Sequence, residues 1–378
     1  MDRIVYLDNS ATTKPCEKAI EYMNNCLKYS WGNPSSLHTI GVEAESVLNS
    51  ARNTVSEFLK AAPEEIIFAG SGTEANNTAI MSAAAKTWGN RVITTEIEHP
   101  SVLKTVKRLE ERGFEVIRLK VDKNGIISLD ELKSALNDKT VLVSIMLVNN
   151  EIGSIQPVGE AVKLAKALSP RCLFHTDAVQ AFGKLPLNVK TLGVDLLTAS
   201  AHKIHAPKGF GFLYRSKKAT IPPLITGGGQ ENGLRSGTEA VHLAAALQGA
   251  ILDLPELSTE LQKITTLRDY AAKLFSQSDF ARVISPENAL PYIINITVPG
   301  YRSETMLHFL EGKNIFVSSG SACAKGETSH VLAALGLSKR EADSALRISF
   351  SRYNTMEDID ALFAALSEAT KKLRRSDK

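Results

Sequence analysis

The sequence predicts an α/β protein with a large domain built on a mostly parallel seven-stranded sheet and a smaller α+β domain. Three observations predict it. Short apolar runs rich in β-branched residues alternate with helix-period segments through the middle of the chain, the order that builds a parallel sheet covered on both faces. From about Leu254 that alternation gives way to one long helix followed by spaced strand runs. And 378 residues, at roughly 100–200 per domain, suggest two or three domains.

Taken in order, Ile4–Leu7 is strand-like, and Glu65–Ala69 reads as a short buried strand. A helix is expected from Thr73 to about Trp88, a strand over Arg91–Glu96, a helix over Ser101–Arg112 and an alternating strand over Phe114–Val121. Asp122-Lys123-Asn124-Gly125 is a turn, and Ser128 with Glu131 has the spacing of a capping box. Thr140–Val148 is an apolar run suited to a central strand, a helix follows Pro157, and Cys172–Thr176, Asp195–Thr198 and Gly209–Tyr214 complete the sheet. Beyond it come a helix at about Leu257–Gln277, strands at Ala281–Ser285, Tyr292–Val298, Ile315–Ser318 and Arg347–Phe350, and a last helix opening near Thr355.

Composition excludes several classes. With 44 Lys+Arg against 41 Asp+Glu, a net charge of +3 gives no footprint of a dedicated nucleic-acid binder. No apolar run approaches the roughly 18 residues of a membrane span, and the N-terminus has no signal-peptide pattern, so a cytoplasmic protein is expected. The four cysteines form no C-x-x-C pair, which argues against a disulfide framework or a cysteine zinc site.

In an open α/β sheet, ligands bind beyond the carboxyl ends of the strands, so the residues there carry the functional reading. Gly70-Ser71-Gly72-Thr73-Glu74 enters a helix and suits either a phosphate or a plain glycine-turned cap. Asp177 ends a buried strand, where a carboxylate caps the next segment or meets a cation such as a protonated pyridine nitrogen. Lys203, beside His202 in a turn between buried strands, could form a Schiff base with an aldehyde, with Lys208 as a competing candidate. Together these are the parts of a pyridoxal 5'-phosphate (PLP) site. His99 opens a helix where a ring could stack on a flat cofactor or shuttle protons. Thr238, after a second glycine-rich segment starting at Gly227, could add an anion contact. Arg347, in an apolar strand, must meet an anion: a protein carboxylate or that of an amino-acid substrate. Cys323 lies in a run of small and polar residues with Lys325 nearby, as an accessible, thiolate-prone cysteine would; Cys172 reads as core, and Cys16 and Cys26 as structural.

The sequence resembles the NifS/IscS-type cysteine desulfurases, fold-type I PLP enzymes, over nearly its whole length. The ordered motifs are Tyr6–Thr13, Gly32–Ser36, Ser71–Glu74, Glu98-His99, Val148–Gly153, Asp177–Gln180, His202-Lys203, GGGQE, RSGT, SSGSAC and Leu346–Ser349. The resemblance implies a PLP-binding domain over residues 15–254 and a small domain of residues 1–14 and 255–378 carrying the Cys323 loop. It implies that Lys203 holds the cofactor aldehyde, Asp177 pairs with the ring nitrogen, and Gln180 and Asn150 bond the ring hydroxyl. His99 would stack on the ring, while Gly72, Thr73, Ser200 and His202 hold the phosphate, joined by Thr238 from the partner of a homodimer. Arg347, with Asn150, would bind the carboxylate of L-cysteine, and Cys323 would take the sulfur as a persulfide, leaving L-alanine. The stretch between Cys323 and Val331 is shorter than in the iron–sulfur-assembly members, and the tail after Lys371 lacks their extension. That implies a NifS-like branch whose acceptor is a tRNA-thiolation or other sulfur-carrier protein, with an iron–sulfur scaffold as the other candidate. A selenocysteine lyase or aminotransferase shares the Lys–Asp–phosphate apparatus, and a binding protein could keep the fold; Cys323 separates the first pair, cofactor colour the last.

Overall fold

The computed structural model describes residues 3–319 and 329–375. Its strands are β1 (Val5–Tyr6), β2 (Ile66–Ala69), β3 (Arg91–Thr95), β4 (Glu115–Leu119), β5 (Thr140–Ser144), β6 (Leu173–Asp177), β7 (Leu196–Ser200), β8 (Gly211–Arg215), β9 (Arg282–Val283), β10 (Ile293–Thr297), β11 (Ile315–Phe316), β12 (Ser318–Ser319) and β13 (Ala345–Ser349).

Seven of them form one sheet in the order β2-β8-β7-β6-β5-β3-β4. Only β8 runs against its neighbours; the pairs from β7 through to β4 are all parallel. The central strands β5, β6 and β7 are buried at every residue, because helices cover both faces; this is why they read as unbroken apolar runs. The chain moves outward from β3 to β4 and then returns to the other side of β3 with β5. The segments after β3 and β5 therefore diverge at a switch in strand order, where a crevice opens.

A second sheet, β12-β13-β10-β9, is antiparallel. The helix Leu257–Gln277 is capped by Glu256, whose carboxylate accepts from Ser258 N at 3.1 Å and Thr259 N at 2.8 Å. The helix Met356–Lys372 opens on a capping box from Thr355 and Asp358 and ends on Lys371 and Lys372, which oppose the negative end of its dipole. β1 pairs in parallel with β11, and Asp8 bridges to Ser349, so the N-terminal segment lies against elements from the far end of the sequence.

Apart from trimmed ends, as where Ala281–Ser285 forms a strand only at Arg282–Val283, the expected elements show four local differences. The strand expected over Thr140–Val148 stops at Ser144, and Met146 and Val148 turn to line a cavity instead. The helix expected to reach Trp88 ends at Ala83; Gly89 packs directly on the Lys139 carbonyl, which turns the chain. Ser128 caps its helix through Glu131 N at 3.2 Å, but the Glu131 carboxylate accepts from Lys120 N, so only half the box forms. The run Ile315–Ser318 divides between β11 and β12, which belong to different sheets.

Candidate active site

At the carboxyl edge of the large sheet lies a cavity of about 480 Å³. Gly72, Thr73, His99, Asn150, Asp177, Gln180, Ser200, His202, Lys203 and Arg347 all line it. Thr238 does not: it borders a separate hollow with Trp31, Gly32 and Asn33. Cys323 and Lys325 lie outside the described residues, but Ser319 on one side lines the cavity, and Ser329 on the other donates to Glu151 Oε2 at 2.5 Å, itself a lining residue.

The floor is built from strand ends. Asp177, last residue of β6 and 5 % exposed, accepts from Asn76 Nδ2 at 2.7 Å and from Val179 N at 2.9 Å. Beside it the helix Gly72–Ala83 presents its N-terminus, with Ser71 Oγ accepting from Glu74 N at 3.1 Å. A Cβ at position 72 would stand 2.9 Å from a Val179 methyl and 3.3 Å from Ser200 Cβ, so glycine alone keeps this corner open. His99 caps the helix Pro100–Glu110; its Nδ1 accepts from Ser101 N at 3.1 Å, which leaves the proton of the neutral ring on Nε2. Burial lowers the His99 pKa, with Lys203 and His330 adding to the effect and Asp177 opposing it.

Lys203 follows β7, and its Nζ donates to the carbonyls of Ser10 and Ala11. Lys208 is exposed at the rim, which orders the two lysine candidates. His202 meets Thr12 Oγ1 through Nδ1 at 3.1 Å, and burial, helped by Lys203, pushes its pKa down to about 4. Arg347 donates to Asp8 Oδ1 at 2.9 Å and to the Asn150 carbonyl at 3.0 Å, while its Nε has no partner. The anion foreseen for it is thus a protein carboxylate in this state, although the guanidinium also faces the cavity.

Sequence reading missed several participants. Asn76 holds Asp177 and Ser101 together, and its Oδ1 is buried without a partner. Glu98 is fully buried beneath the floor; its Oε1 accepts from Met146 N at 2.8 Å and Thr95 Oγ1 at 2.9 Å, and burial lifts its pKa to about 8. Asp8, Ser10 and Glu98 were visible only as parts of motifs, and Lys184 not at all. The i, i+4 spacing of Lys184 from Gln180 is the one signal that could have found it.

The site fits PLP by its donor set. A helix N-terminus with Ser200 and His202 suits a phosphate, a buried carboxylate suits a protonated ring nitrogen, and a lysine amine suits an aldehyde. The unpartnered Ser10 Oγ and Asn76 Oδ1, with the glycine-shaped corner at Gly72, indicate a space meant for a polar group.

Comparisons agree with this chemistry. The class-V aminotransferase family model matches residues 5–362. A cysteine desulfurase IscS of Dictyoglomus turgidum is 42% identical, over 99% of this chain and 96% of that protein. A putative cysteine desulfurase of Bacillus subtilis, IscS 1, is 41% identical over 99% of this chain and 100% of its own length. Among solved structures, a NifS-like protein superposes with a TM-score of 0.93 at 38% identity, covering 98% of this chain and 100% of that one. SspA, solved in complex with cysteine, gives 0.82 at 34% identity over 93% and 99%. On a match spanning nearly every element described above, this chain belongs to the class-V aminotransferase family, in its NifS/IscS cysteine desulfurase group.

Proposed function

We infer that the protein is a PLP-dependent cysteine desulfurase that removes sulfur from L-cysteine and releases L-alanine. The observation that carries this reading is convergence: Lys203, Asp177 and Arg347 share one cavity, with Ser319 in its lining and Ser329 bonded to the lining residue Glu151.

PLP, when bound, supplies an electron sink for the bonds at the substrate Cα. Gly72, Thr73, Ser200 and His202 would hold its phosphate, Asp177 would keep its ring nitrogen protonated, and Gln180 and Asn150 would bond its ring hydroxyl. Lys203 would bind its aldehyde, and the lysine amine would move a proton at the substrate Cα. His99 would stack against its ring, keeping its own proton on Nε2. Arg347 grips the substrate carboxylate through its guanidinium, in exchange with or beside Asp8. The Cys323 thiolate attacks the substrate sulfur: a Cys323 S–S bond forms, the substrate Cβ–S bond breaks, and its electron pair takes a proton at Cβ to give alanine. The Cys323 persulfide then passes to an acceptor.

The chain works as two units, residues 15–254 around the cofactor and residues 1–14 with 255–378 around Cys323. It pairs as a homodimer: Leu27, Tyr29, Trp31, Leu37, Ile40 and Val42 are exposed together along one stretch, and Thr238 beside them reaches the partner's phosphate. No helix among the described residues is long and apolar enough to cross a membrane, and we place the enzyme in the cytoplasm. Its acceptor is a tRNA-thiolation or other sulfur-carrier protein; sulfur passed from L-cysteine to an iron–sulfur scaffold, with none to a thiolation protein, would reverse that choice.

The deciding experiment measures sulfide and alanine from L-cysteine with a reductant, in the wild type and in Cys323→Ala. Activity lost in the variant, with the cofactor's visible band intact in both, is the expected result. Full activity in the variant would sink the persulfide route.

A further inference from the structure

Lys184 is a buried lysine that none of these steps employs. It is 6 % exposed, its Nζ lies 3.3 Å from Gln180 Oε1, and it stands 5.4 Å from the centroid of the Tyr292 ring. Burying an ammonium is costly, and packing alone does not call for one, since methionine spans a similar length. Burial lowers its pKa to about 7; Lys203 and Arg347 push the same way and Glu260 opposes them.

The backbone fixes where Lys184 stands. A turn after Asp177 carries Lys184 N to Ala181 O at 2.9 Å and Leu185 N to the same carbonyl at 3.0 Å. Gly183 sits at φ 74°, and a Cβ there would lie 2.7 Å from an Ile204 methyl, so only glycine allows this path. Gln180 and Lys184, four residues apart in the turn, then meet on one side.

That meeting decides the orientation of an amide. An ammonium only donates and a backbone carbonyl only accepts. Gln180 Nε2 donates to the Ser10 carbonyl at 3.0 Å while its Oε1 accepts from Lys184. Turning the amide over would set NH₂ against the ammonium and carbonyl against carbonyl. What Gln180 can still offer the cavity is the second Nε2 hydrogen.

We propose that Lys184 is a positioning residue that locks Gln180 as a hydrogen-bond donor to the cofactor's ring oxygen. This rests on the reading of Gln180 given above and deepens it.

The test follows the pH midpoint of the visible band in the holoenzyme. Without a donor, the ring oxyanion keeps more charge and holds the proton on the Lys203 nitrogen beside it more tightly. Gln180→Leu is expected to raise the midpoint by about one unit, the size of a hydrogen bond to a charged group. Lys184→Met is expected to raise it similarly, and the double variant no further than Gln180→Leu alone. Lys184→Leu is read in the same way if the methionine variant does not fold. A shift in Gln180→Leu with none in Lys184→Met overturns the positioning role. Additive shifts overturn it too, since Lys184 would then act through its charge alone. No shift in Gln180→Leu removes the underlying reading of Gln180, and the inference with it.

Discussion

Two glycine-bearing loops, residues 70–73 and 227–239, look alike in sequence and are built differently. In the first, Gly72 has a methyl 2.9 Å from where a Cβ would stand, Ser71 caps the following helix, and both face the cavity of their own chain. In the second, Gly229 and Gly233 have positive φ with nothing within 4 Å, and Thr238 opens onto a hollow away from that cavity. The first loop is finished from within. The second presents its threonine beside an apolar stretch, the arrangement on which the proposed homodimer rests. Gly72 serves steric closeness, whereas Gly229 and Gly233 serve backbone direction.

The largest test of this contrast is Gly72→Val. Overpacking against Val179 and Ser200 should weaken PLP retention by roughly 10- to 100-fold, read by dialysis and loss of the visible band. Unchanged retention would mean that the corner is not the phosphate seat. Next comes complementation. Lys203→Ala and Thr238→Glu should each be inactive alone, and co-expression should recover about a quarter of wild-type activity, because half the dimers are mixed and each has one intact site. No recovery would assign Thr238 to its own subunit.

Both regions also carry buried carboxylates: Glu231 of the outer loop is paired with Arg52, whereas Glu98 under the cavity floor has no cationic partner among its hydrogen bonds. Glu98 lies buried under the floor with its pKa raised from an ordinary carboxylate value to about 8. Between those values the folded chain holds a proton that the unfolded chain has lost, so stability falls as pH rises through that window. Glu98→Gln removes the slope. Its stability should overtake that of the wild type by at least about 1 kcal/mol between pH 5 and 8.5, followed by denaturant unfolding at each pH. Parallel pH curves would show that Glu98 is ionised in the fold. The smallest effect is expected at Gly229→Ala, where strain at positive φ costs about 1 kcal/mol of stability and leaves PLP retention unchanged.

How far these regions were legible beforehand follows from the range of the signal. Strand ends announce themselves locally: Asp177 and Lys203 each follow an apolar run, and both line the cavity. Long-range pairing does not. Asp8 and Arg347 form an ion pair across the whole chain, and nothing near either residue names its partner. Asn76 resembles any polar residue on a helix until β6 brings Asp177 beneath it. Thr238 stands out after a glycine-rich segment as a possible anion contact, but its distance from its own cavity is a fact that only three dimensions supply.

The threading of residues 5–11 into elements from the other end of the chain has a consequence for synthesis. β1 must wait for β11, and Asp8 waits for Arg347, 339 residues later. At roughly 5–20 residues per second, that is a delay on the order of tens of seconds on the ribosome. A nascent chain can assemble its parallel sheet, and seat residues 10–13 on His202, Lys203 and His205, well before then. What stays open until completion is the wall of the cavity that Asp8 and Arg347 close together.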